Sequence, residues 1–163
     1  MTNSNHSNYI SMYNGIEVID ALETRISAIK KTLTIVSELD KWEHRYAEGK
    51  WTIKEIVQHC IDCERIFSFR ALHIAREDQQ ILSFFDENLY VETSQANDRQ
   101  PEELIQELIS FMKVTYYQFT AFHDNVLYKK GHIEQHEISV EEIGYIIAGH
   151  SIHHMNIINE RYL

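Results

Sequence analysis

A chain of 163 residues, 44% of them hydrophobic, has the size and composition of one globular domain and excludes wholesale disorder. Its 15 lysines and arginines stand against 25 acidic residues, a net charge of −10. The only clustered cations are the doublets Lys30-Lys31 and Lys129-Lys130, which excludes nucleic acid as a partner, since affinity for phosphate rests on cationic contacts.

One proline and five glycines favour long helices over a turn-rich β fold. Residues 1–14 are polar and rich in Asn and Ser, and lack the apolar segment of a signal peptide. They are expected to form a flexible tail ahead of a single domain over residues 15–163. No apolar run approaches the ~18 residues of a membrane span.

The first helix is predicted from Ile16 to Leu39, with Ile19, Leu22, Ile26, Ile29, Leu33 and Val36 spaced as one buried stripe. A second is announced by Thr52-Ile53-Lys54-Glu55, a Thr followed three positions later by Glu, which satisfies two otherwise orphaned backbone donors. Its stripe runs through Ile56, Cys60, Cys63, Phe67, Ala71 and Ile74 and ends near Asp78.

From Gln79 to Gln100 the pattern fades into a long connection with an apolar patch at Ile81–Phe85, suited either to a lid or to a crossover between helices. Pro101-Glu102-Glu103 opens a third helix, proline at the first position and acids at the positive end of the dipole. That helix carries Leu104, Leu108, Phe111, Met112, Thr115 and Phe119. A second capping box, Ser139-Val140-Glu141-Glu142, starts the fourth, which runs close to the C-terminus. No strand pattern competes, so the fold class is all-α, a four-helix bundle with long inter-helix connections.

Two histidine pairs stand four residues apart. His132 and His136 fall in a predicted loop, where that spacing has no geometric consequence. His150 and His154 fall inside the fourth helix, on the stripe of Ile143, Ile146, Ile147, Ile157 and Ile158, so both imidazoles point into the core. Burying them without partners costs on the order of 1–3 kcal/mol each. A shared metal meets that need; carboxylate or tyrosine partners are the alternative. His59, on the second helix at the edge of its stripe, completes a set of three that leaves one position open, the pattern of catalytic zinc. Alone, His59 reads as an ordinary boundary histidine.

Cys60-Ile61-Asp62-Cys63 has redox spacing but begins two turns into its helix, away from the N-terminal dipole that would activate a thiol. Both read as core cysteines of a reducing, cytoplasmic setting, with Cys63 also spaced for a fourth-ligand role. Asp62 and Glu64 are helpers whose positions do not clearly aim at the site. Tyr116, Tyr117, Phe119 and Phe122 offer an aromatic face through which a homodimer would form.

Several segments resemble the DinB-like superfamily: Lys50–His59, Ile61–Phe67 with Arg70-Ala71-Leu72, Phe85-Asp86-Glu87, Ala148–His154 and Asn159–Leu163. Each motif is short, but the ordered set covers residues 16–163. The resemblance implies a four-helix bundle holding a divalent ion, zinc or nickel, on one histidine of the second helix and a His-x-x-x-His pair of the fourth. Those positions here are His59, His150 and His154. It further implies thiol-dependent transferase or isomerase chemistry with bacillithiol or mycothiol as cosubstrate, or metal-dependent hydrolase chemistry, on a small electrophilic molecule. A non-catalytic bundle stapled by a structural metal, or an interaction module, is the competing expectation.

Overall fold

A computed structural model describes residues 3–163. In chain order the helices are α1 (Asn3–Ser11), α2 (Val18–Glu38), α3 (Ile53–Ala75), α4 (Glu87–Thr93), α5 (Pro101–Thr120), α6 (Asp124–Leu127) and α7 (Val140–Ile157). Strands β1 (Lys130–Ile133) and β2 (His136–Ser139) form an antiparallel hairpin ahead of α7. The four long helices α2, α3, α5 and α7 are the bundle. No helix among the described residues is long and apolar enough to cross a membrane.

Local chemistry sets the starts of the two helices that matter most for function. Thr52 Oγ1 accepts from the Glu55 amide at 3.1 Å while a Glu55 carboxylate oxygen accepts from the Thr52 amide at 2.7 Å. Ser139 and Glu142 repeat the arrangement at the head of α7, at 3.1 and 2.8 Å. Each reciprocal cap fixes where its helix begins, and hence which face its histidines present.

Around the bundle the helices touch in the order α2–α7–α3–α5. Thus α2 and α3, consecutive in the chain, stand at opposite corners, as do α5 and α7. The core has two layers. One gathers Leu33, Trp42, Ile53, Leu108 and Met155; the other gathers Leu22, Phe67, Phe119 and Ile143. Burying side chains of this size stabilises by roughly 1.5–3 kcal/mol each.

Three expectations need correction. Of the tail expected over residues 1–14, Met1 and Thr2 lie outside the described residues, but Asn3–Ser11 is helical and packs on α7, with Tyr9 buried. Its apolar positions, Tyr9, Ile10 and Tyr13, supply the packing that the Asn- and Ser-rich composition masks.

The segment Gly131–His136, read as loop, lies in a hairpin over residues 130–139 that turns at Glu134-Gln135. Pairing of His132 with Glu137, and of Ile133 with His136, puts His132 and His136 on opposite faces of it. They cannot share a ligand.

The aromatic face expected on α5 is largely internal: Phe119 is 1% exposed and Tyr116 and Phe122 pack against the core, leaving Tyr117 outside. The Gln79–Gln100 connection, where the helical pattern fades, links α3 to α5. It carries α4, capped by Asp86, whose carboxylate accepts from the amides of Asn88 and Leu89. Leu82 also pairs with the hairpin at Ile133.

A candidate metal centre between two helices

The inward faces of α3 and α7 bring three imidazoles together. His59 Nε2 lies 3.1 Å from His150 Nε2, and His154 Nε2 lies 3.1 Å from the same atom. His59 and His150 are buried, while His154 is half-buried where the cluster meets a cavity.

Hydrogen bonding alone does not satisfy this cluster. A neutral Nε2 carries either one proton or one lone pair, so the nitrogen of His150 can engage only one of its two neighbours. Burial pushes His59 down to about 4 and holds His150 and His154 well below the usual histidine range; in that pair the neighbouring imidazoles push further the same way. All three rings are therefore neutral near pH 7, with lone pairs available. Two metal–imidazole bonds of ~2.0–2.1 Å readily span nitrogens 3.1 Å apart. The donor set fits a divalent ion.

The fourth side of the cluster is a cavity of about 200 Å³. Trp51, at the entrance to α3, stacks obliquely on His59 with ring centres 4.9 Å apart. Tyr9 meets His150 edge-on at 5.9 Å. It gets that close because α7 has Gly149 there: a Cβ would stand 2.6 Å from Tyr9 Cβ and 2.9 Å from its Cα. Glu87, the first residue of α4, supplies the carboxylate of the wall, and His153 forms its outer edge. Burial, then the charge of Glu87, pushes the Tyr9 phenol up to about 12, so it stays protonated.

The remaining candidates go elsewhere. Cys63 Sγ comes within 3.7 Å of the His59 ring, yet the group of converging ligand atoms among the described residues is His59, His150 and His154 alone. Burial pushes both thiols up, and Cys60 and Cys63 pack in the two core layers. Asp62 accepts from Gln58 and Arg65 on the outer face of α3.

Glu64 turns to the bundle centre, where Arg25 of α2 grips it through two hydrogen bonds of 2.7 and 2.8 Å. Arg25 also donates to the Ile147 carbonyl and to Ser151 Oγ, next to His150. Sequence reasoning missed Tyr9, Trp51, Glu87 and Arg25. The resemblance segments did contain Trp51 and Glu87, but nothing in their local pattern aims them at the histidines.

A family model of the DinB superfamily matches residues 21–158. The chain belongs to the DinB superfamily. Among solved structures of similar fold is YfiT from Bacillus subtilis, described as a probable metal-dependent hydrolase with an unusual four-helix bundle topology. It aligns with a TM-score of 0.76 over 98% of this chain and 87% of its own, at 17% identity. That likeness establishes the fold of this DinB-superfamily chain. No curated protein matches it.

Proposed function

We propose that the chain is a metal-dependent enzyme that directs a small nucleophile, water or a low-molecular-weight thiol such as bacillithiol, onto an electrophilic small molecule. His59, His150 and His154 hold the ion. The observation that carries this reading is the convergence of three imidazoles on a cavity, with no fourth ligand atom converging with them among the described residues. A structural site would be closed. The description of YfiT as a probable metal-dependent hydrolase supports the same reading.

His59, His150 and His154 would hold a divalent ion whose charge would make a water or thiol nucleophilic at neutral pH. The chain supplies the rest. Three uncharged ligands leave the ion's full charge at the site. Glu87 is the proton acceptor on the wall, and the Tyr9 phenol, protonated across the working pH range, is a hydrogen-bond donor to the oxygen on which charge develops. Trp51 holds the His59 ring in place. Zinc and nickel both suit imidazole ligands. Two free, buried cysteines suit a reducing cytoplasm.

The test is turnover by zinc- or nickel-loaded protein, with para-nitrophenyl acetate for hydrolysis and with bacillithiol plus monochlorobimane for transfer. Activity in either assay that disappears on chelation and in the H150A/H154A variant is the expected result. Activity indifferent to chelation and to those substitutions would overturn the proposal.

A further inference from the structure

The metal-site cavity adjoins a second hollow of about 290 Å³, and Trp51 and His154 line both. The chemistry of this hollow differs from that of its neighbour. Its walls include the rings of Tyr46 and Tyr162 and the aliphatic side chains of Ile56 and Ile157. Tyr46 and Tyr162 meet edge to face at 5.0 Å. Tyr162, itself 3% exposed, donates from its hydroxyl to the Trp51 carbonyl at 2.8 Å, so the two aromatic walls are fixed to one another.

Cations gather on the same side. Lys50 lines the hollow, and Arg45 donates to the Lys50 carbonyl at 2.7 Å. The guanidinium of Arg161 lies 5.5 Å from the centre of the Tyr46 ring. Arg45 pairs with Glu55, but among the described residues no carboxylate pairs with Lys50 or Arg161. In a chain of net charge −10, a hollow lined by Lys50, with Arg161 against the Tyr46 ring, selects for anions locally against the overall field. Flat aromatic walls select for a ring.

We infer that the Trp51–Tyr46–Tyr162 hollow is the substrate subsite of this enzyme and takes an aromatic carboxylate. The ring packs among the three aromatic side chains, the carboxylate faces Lys50, and the reactive group lies towards His154. The inference deepens the proposed function and rests on it for what happens to the bound molecule. Occupancy of the hollow needs only the side chains named.

The experiment is calorimetric titration of 2-naphthoate into the full chain, metal-free and zinc-loaded, with 2-naphthol and cyclohexanecarboxylate as the uncharged and non-aromatic comparisons. Naphthoate is expected to bind saturably in both states and to outcompete both comparisons. Lys50→Gln, on the surface, is expected to weaken it about fivefold, the most an exposed charge pair contributes. Tyr46→Leu, which keeps apolar volume, is expected to weaken it about tenfold through loss of ring packing.

Zinc titrated into the same samples reads the metal centre separately. Normal zinc uptake with no naphthoate binding overturns the subsite and leaves the metal centre standing. Naphthoate binding through Lys50 and Tyr46 without zinc uptake does the reverse. Binding seen only with zinc means the carboxylate coordinates the ion, and binding unchanged in both variants means it sits elsewhere; either result overturns the inference.

Discussion

Arg25 and Glu64 form a two-pronged ion pair, at 2.7 and 2.8 Å, although their helices stand at opposite corners of the bundle. The arginine is 1% exposed and the glutamate 3%. The pair sits where the two apolar layers meet, and through Ser151 and the Ile147 carbonyl it also fixes α7 beside His150. Breaking a buried pair from one side leaves a bare charge in the core. Arg25→Ala is therefore expected to cost about 3–5 kcal/mol in urea unfolding, whereas the double replacement R25M/E64L, which removes both charges, recovers most of that loss. Equal losses in the single and double variants would contradict this account.

Contact between Gly149 and Tyr9 is tight enough that the smallest side chain displaces α1. Gly149→Ala is expected to lower stability by about 1–3 kcal/mol through overpacking. Amide exchange over residues 6–11 should accelerate in the same variant, because a Cβ on α7 meets the α1 backbone. Unchanged exchange there would show that α1 yields without detaching.

Acidity should act on the metal-free protein through the histidine cluster. Each of the three has a folded pKa below its ordinary value, His59 at about 4 against 6.5. The unfolded chain consequently binds more protons as pH falls through 6.5, and stability falls with it. Above that pH both states are neutral and the contribution is flat. Thermal melts of metal-free protein between pH 7 and pH 5 should show a falling Tm, and H150A/H154A should show a shallower decline. A flat profile in wild type would contradict the burial of neutral rings.

Glu87 and Tyr9 touch the cavity without belonging to the ligand set. Glu87→Gln is expected to reduce turnover about 10²-fold, the lower range for a lost general base, while metal content stays at the wild-type level. Tyr9→Phe should lower kcat more than it raises KM, since the phenol is assigned to charge that develops during reaction. Loss of metal in either variant would move the residue into the ligand set instead.

The bundle was legible in the sequence wherever periodicity and capping agreed. Both capping boxes, at Thr52 and Ser139, form as the spacing predicts, and the stripe from Ile56 to Ile74 is buried throughout. The three histidines follow from those two facts together with the resemblance, because a fixed helix start determines which positions face inward.

What stayed hidden was set by tertiary context. Arg25 occupies a stripe position that composition assigns to an exposed charge, and only the distant Glu64 makes its burial tolerable. Tyr9 lies in a polar segment whose helix depends on packing against α7. Glu87 and Trp51 reach the cavity through connections whose paths no periodicity records. The β hairpin escaped notice because four-residue strands are too short to show alternation.

The central claim is that His59, His150 and His154 bind one divalent ion. Elemental analysis of protein purified without a nickel column, after incubation with zinc and removal of the excess, tests it most directly. The account predicts about one ion per chain in wild type and none in H150A/H154A with the fold retained by circular dichroism. Metal-free wild-type protein under those conditions, or equal metal in both proteins, would contradict it.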